Sequence, residues 1–145
     1  VTESERDKVS DDDYVLTWSE ARHLVQAVED AFGAADLTAI SNGFTDDAVA
    51  RFADFPEMRG RSAIMAFLTA RFARTLGYKL TKTLEVLTGN RLANTWVASW
   101  TDAKTGKQMQ GRGTEIWTMR GHQIAVWDAT FNVWEKGGAP TTPVV

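Results

Sequence analysis

Polar and apolar positions along this chain change period once. From Thr17 to Phe72 the apolar residues mostly recur three and four positions apart, and from Tyr78 to Trp134 they alternate. In the first part Thr17 and Glu20 are spaced as a capping box, and Ala21, Leu24, Val25, Val28, Ala31 and Phe32 share one helical face. This predicts a first helix ending near Gly33. Asp36 caps a shorter second helix through Leu37 and Ile40, which stops near Asn42 and Gly43. The run from Ala48 to Phe55 reads as a strand closed by Pro56. Gly60, Arg61 and Ser62 then open a third helix whose buried stripe is Ile64, Phe67, Leu68 and Phe72, ending at Gly77.

Beyond Gly77, Tyr78, Leu80, Leu84 and Val86 alternate up to a turn at Gly89-Asn90. Leu92, Asn94, Trp96, Ala98 and Trp100 alternate up to a second turn at Thr105-Gly106. A hairpin follows, broken at Arg120-Gly121-His122. In its first arm Gly113, Glu115, Trp117 and Met119 share a face; in its second, Trp127, Ala129, Phe131 and Val133 lie opposite Asp128, Thr130, Asn132 and Trp134. Three helices and one isolated strand thus precede a four-stranded antiparallel meander. That order is α+β, with the helices covering one face of a curved sheet.

The chain has 145 residues, enough for one domain with a sizeable core. We expect a charged tail at 1–13, a single domain at 14–136 and a loop at 137–145. Residues 1–13 hold six of the 19 acidic residues and two of the 16 basic ones, leaving 13 acidic against 14 basic in the body. A near-neutral body without a Lys/Arg stripe argues against nucleic acid and anionic membrane as partners. There is no cysteine, which excludes disulfides and thiolate chemistry. No apolar run is long enough to span a membrane and the start lacks a signal-peptide core, so a cytoplasmic protein is expected. The two histidines, His23 and His122, lie apart and no carboxylates cluster at ligand spacing, so no metal and no cofactor are expected. Six tryptophans point to a thick core, an apolar pocket or a subunit interface.

Glu115 is the first candidate for chemistry. A carboxylate in line with Trp117 and Met119 is either paired, for instance with Lys82 on the inward face of its own strand, or set in a cavity where being hard to ionise suits proton transfer. Asn94 interrupts the set Leu92, Trp96 and Trp100, where it either orients a substrate oxygen or satisfies a backbone group. Asp128 faces outward if the more apolar side of the last strand faces inward, and a one-residue slip turns it in. Both placements stay open. Gly111 and Gly113 lie inside a strand pattern and are read as permitting the sheet to bend.

Several phrases, in this order, resemble the SnoaL-like branch of the nuclear transport factor two-like superfamily. They are Ala27-Val-Glu-Asp-Ala-Phe32, Phe44-Thr-Asp-Asp-Ala-Val49, Gly60-Arg-Ser-Ala-Ile64, Gly89-Asn-Arg-Leu-Ala93 and Gly113-Thr-Glu-Ile-Trp117, with the final aromatic strand. The Gly-x-Glu-x-Trp phrase and the helix Phe67-Leu-Thr-Ala-Arg-Phe72 are similar to an uncharacterised bacterial subfamily of that group. The resemblance implies a cone: a strongly curved, mostly antiparallel sheet wrapped around three N-terminal helices, with a pocket open at one end. It also implies a homodimer through the outer sheet face, near Trp134. Relatives are ketosteroid isomerases, polyketide cyclases, dehydratases and epoxide hydrolases, and others only bind or dimerise, so fold alone leaves function open.

By that resemblance Glu115 falls near the position of an acid that donates a hydrogen bond to a developing enolate. The isomerase base position falls on Arg51 or Phe52, with Asp54 nearby. The two aspartates of the epoxide hydrolases fall on Asn94 or Ala93 and on Ala129 or Asp128, a departure that argues against that chemistry. The site expected is catalytic Glu115, Asn94 and Asp128 in a pocket lined by Trp96, Trp117, Trp127, Phe131 and Phe52. It would act on a small apolar carbonyl or hydroxyl compound by isomerisation, cyclisation or dehydration. The alternatives are a dimeric protein that binds a ligand without changing it, and a dimerisation module with a filled core.

Overall fold

The computed structural model describes residues 13–139 and 142–144. Most of the charged tail expected at 1–13 lies outside the described residues. Three helices, α1 (Trp18–Gly33), α2 (Leu37–Asn42) and α3 (Arg61–Arg74), combine with six strands: β1 (Phe44–Phe52), β2 (Met58–Arg59), β3 (Thr75–Thr88), β4 (Arg91–Asp102), β5 (Gln108–Arg120) and β6 (Gln123–Glu135). The architecture is α+β, with one curled sheet in the order β2-β1-β6-β5-β4-β3. None of the described helices is long and apolar enough to cross a membrane.

The local signals act as their chemistry requires. Thr17 accepts the backbone N–H of Glu20 at 3.1 Å while Glu20 accepts that of Thr17 at 3.3 Å, so both orphan donors at the start of α1 are satisfied. The side chain of Asp36 does the same for α2 by accepting from the N–H of Ala39. Gly60, with φ of +89°, turns the chain into α3 through a conformation that other residues rarely adopt.

Strands β3 to β6 form the antiparallel meander, while β1 joins the same sheet by pairing parallel to β6. The first strand is therefore not isolated. It starts at Phe44, earlier than its apolar run suggests, and short β2 pairs with it. The alternation expected for β3 fails at one point. Between Leu84 and Val86 the register against β4 shifts, so Val86 is 55% exposed and Leu87 takes the inward place. Ala21, Val25 and Phe32 of α1, Ile40 of α2 and Ile64 and Leu68 of α3 share one buried cluster with Leu92, Trp117, Met119, Trp127 and Ala129 of the sheet.

Candidate active site

Register sets the inner face of the sheet. Lys82 is paired with Trp96, Asn94 with Glu115, Glu115 with Ala129, Trp117 with Trp127, and Gly113 with Phe131. Period-two alternation turns these side chains to the side where the helices lie. From β3 the Lys82 ammonium reaches Glu115 Oε2 at 2.7 Å and Asn94 Oδ1 at 3.3 Å. The indole N–H of Trp117 donates to the same Oε2 at 2.9 Å. The Lys82 and Glu115 side chains are 2% and 5% exposed, so this is a buried ion pair. Burial pushes the Lys82 ammonium below its usual range, and the charge and hydrogen bond of Glu115 push it partly back. Its Nζ also lies over the rings of Trp117 and Trp127, at 5.5 and 5.9 Å. The backbone N–H of Lys82 donates to Glu29 Oε2 at 2.6 Å, which ties α1 to this point of β3.

Glu115 is paired with Lys82, and both residues also line a cavity of about 300 Å³. Phe32, Phe52, Phe67, Phe72, Trp127 and Phe131 supply most of the apolar wall. Polar lining comes from Thr75, Tyr78 and Arg71. Burial pushes the Tyr78 hydroxyl up to about 12, with Glu115 adding to the shift and Arg71 opposing it. A larger groove, about 540 Å³, lies on the outer side among Thr81, Thr83, Thr95, Arg112, Thr114 and Asn132. It carries one charged side chain, Arg112, and no acid/base pair.

The expected residues divide as follows. Glu115, Trp96, Trp127, Phe131 and Phe52 line the cavity. Trp117 is fully buried and is not among the lining residues; it holds Glu115 from behind. Asn94, also fully buried, meets Lys82 and does not line the cavity, so it positions the lysine. Asp128 requires a correction. It is exposed, because the parallel pairing sets Ala129 beside Phe52 and Asp128 beside Arg51, and Ala129 is the inward residue. On β1, Phe52 faces in while Arg51 is exposed and pairs with Glu57, and Asp54 is exposed. No carboxylate of β1 or β6 therefore faces the cavity.

The two strand glycines also leave space for neighbouring groups. A Cβ on Gly113 would fall 2.6 Å from the Thr130 carbonyl oxygen and 2.7 Å from Trp96 Nε1. On Gly111 it would fall 3.2 Å from the rings of both Trp100 and Trp96. Both leave room for indoles that lie across β5. His23 is exposed, and His122 is exposed but hydrogen-bonded to Glu20 at 2.8 Å. Lys82 is legible from its inward register, Tyr78 shows only as one position of the alternating set of β3, and Arg71 carries no local signal.

The chain has no match among curated proteins. Its fold is shared with many solved structures. A candidate polyketide cyclase from Xanthomonas campestris pv. campestris is 22% identical with a TM-score of 0.72, covering 79% of this chain and 91% of that one. A SnoaL-like candidate polyketide cyclase from Jannaschia sp. CCS1 is 12% identical with a TM-score of 0.69, covering 88% and 90%. An LEH-like epoxide hydrolase from M. tuberculosis is 16% identical with a TM-score of 0.63, covering 79% and 84%. These likenesses show that the chain shares its fold with these structures. The chain belongs to the family described as protein of unknown function DUF1348, whose model matches residues 15–129.

Proposed function

We propose that this protein is a small-molecule enzyme of isomerase or lyase type, using its own side chains for acid/base chemistry on an apolar carbonyl or hydroxyl compound. The observation that carries the reading is a buried Lys82–Glu115 pair on the wall of an otherwise aromatic cavity. Oε2 of Glu115 is occupied by two donors, Lys82 and Trp117. Oε1 makes no hydrogen bond to a described residue. It takes a proton from the carbon beside a substrate carbonyl, the electron pair moves to the carbonyl oxygen, and the Lys82 ammonium meets the resulting enolate. Returning the proton to another carbon completes an isomerisation. If Lys82 instead protonates a β-hydroxyl, that group leaves as water and the pair resets by proton transfer from Glu115 to Lys82. Asn94 keeps the ammonium on the Glu115 side.

The experiment is Glu115→Gln, made on protein whose fold is checked by circular dichroism. Turnover should fall by about 10²–10⁴-fold with ligand affinity retained. Unchanged turnover would remove Glu115 from the mechanism.

One observation favours a second reading. Lys82 and Glu115 already satisfy one another, as a purely structural pair would. The protein would then carry its ligand unaltered, and mass spectrometry of a compound before and after a cycle of binding and release separates the two. Dimerisation through the outer sheet face, where Val97 and Ile116 are exposed, belongs to either reading and is tested by sedimentation.

A further inference from the structure

The charges on the cavity wall do not cancel. Its charged lining residues are Lys82, Glu115 and Arg71. The first two neutralise each other, which leaves the guanidinium of Arg71 in excess. Arg71, in the last turn of α3, lies 4.8 Å from the centre of the Trp100 ring, and makes no ion pair or hydrogen bond with another described residue. The carboxylate that acts on it most, Asp102, is already taken: Arg74 donates to it at 2.5 and 3.2 Å and Thr105 at 2.7 Å. Arg74 adds a like charge. Tyr78 stands on the same wall, within range of Arg71, and its hydroxyl makes no hydrogen bond with a described residue. The hydroxyl of Thr75 and the indole N–H groups of Trp96 and Trp127, all on lining residues, also lack a partner among the described residues. Unmatched donors therefore outnumber unmatched acceptors around an apolar space.

The wall also has a direction. Phe55 and Val133 are exposed lining residues and Arg71 is partly exposed, whereas Lys82 and Glu115 are almost completely buried. We propose that the cavity takes an organic anion: an apolar ring or chain bearing a carboxylate or ionised enol, whose acidic end is held by Arg71 and Tyr78 while its apolar part extends toward Lys82 and Glu115. A guanidinium stacked on an indole keeps its edge N–H groups free, and those donors fit a carboxylate in bidentate fashion. Burial lowers the proton affinity of Arg71, and a bound anion would offset that loss. This assignment rests on the preceding reading, that the cavity binds a small molecule at all.

The test uses two naphthalenes of matched shape. Binding of 2-naphthoate and of 2-naphthamide to the full chain is measured by calorimetry at neutral pH, for the wild type and for Arg71→Met, which keeps most of the apolar stem. The expected result is a preference of about tenfold or more for the naphthoate in the wild type, lost in Arg71→Met with amide binding unchanged. Equal binding of the two by the wild type, or a preference that survives in Arg71→Met, would overturn the anion assignment and leave the ligand cavity standing. Binding of neither would overturn both. Should Arg71→Met fail to fold, wild-type naphthoate affinity at rising salt decides: a fall supports the charge contact, and no change overturns it.

Discussion

Lys82 and Glu115 meet across an intervening strand. Lys82 is on β3 and Glu115 on β5, with β4 between them, and the lysine side chain passes Asn94 to bring its ammonium within 2.7 Å of the carboxylate. An ion pair of this kind spans three strands and lies on the cavity wall. Taking two charges out of water costs several kcal/mol each, so each partner is tolerated only because the other is present.

That dependence predicts a non-additive mutant series. Lys82→Met alone leaves the Glu115 carboxylate buried with only the Trp117 N–H as donor, and should cost about 3 kcal/mol or more in urea unfolding. Combining it with Glu115→Gln removes both charges and keeps an acceptor for Trp117. The double variant should recover most of the loss.

Asp102 gives the acid limb of stability. Arg74 and Thr105 hold its carboxyl well below the ordinary value of 3.8, so the folded chain keeps the charged form to lower pH than the unfolded chain does. The stability it adds is complete above the unfolded value and is lost as pH falls toward the folded one. Asp102→Asn should therefore be less stable than the wild type at neutral pH. The gap should narrow below pH about 4, as read from urea midpoints across an acid series.

Gly113→Ala should destabilise the chain by about 1–3 kcal/mol, because the added methyl meets backbone at Thr130 as well as the Trp96 ring, and tryptophan emission should shift with the ring. Gly33→Ala is the control. Apart from its own helix backbone and chain neighbours, nothing lies within 4 Å of a Cβ there, so it should be neutral or stabilising by up to about 1 kcal/mol.

The exposed position of Asp128 predicts that Asp128→Asn changes stability by no more than about 0.5 kcal/mol and leaves turnover and ligand affinity unaltered. Urea unfolding and a titration of any bound compound check this.

Local chemistry was legible in the sequence. The Thr17 and Glu20 pair, the turns at Gly89 and Gly121, and the inward set Glu115, Trp117 and Met119 all follow from spacing. Two strands away, period two puts Lys82 on the same face, and so the ion pair was one of two readings. What spacing cannot carry is register between distant segments. Whether Asp128 or Ala129 faces the cavity is decided by parallel pairing with β1, which starts some 80 residues earlier. The outward turn of Val86 comes from a one-residue irregularity opposite β4. Arg71 sits at the end of a helix, and its place on the wall depends on where β3 brings Tyr78 and where β4 brings Trp100. The glycines of β5 answer to indoles on another strand, which no window of local sequence contains.

The central claim is that Glu115 can remove a proton from carbon inside the cavity, and the most direct measurement is solvent exchange. A cavity-sized ketone with acidic α-protons, such as 2-tetralone, is kept in deuterium oxide with the protein and its α-proton signals are followed by NMR. The account predicts exchange faster than the uncatalysed rate with the wild type and with Asp128→Asn, and exchange at the uncatalysed rate with Glu115→Gln. Equal rates for the wild type and Glu115→Gln would contradict it.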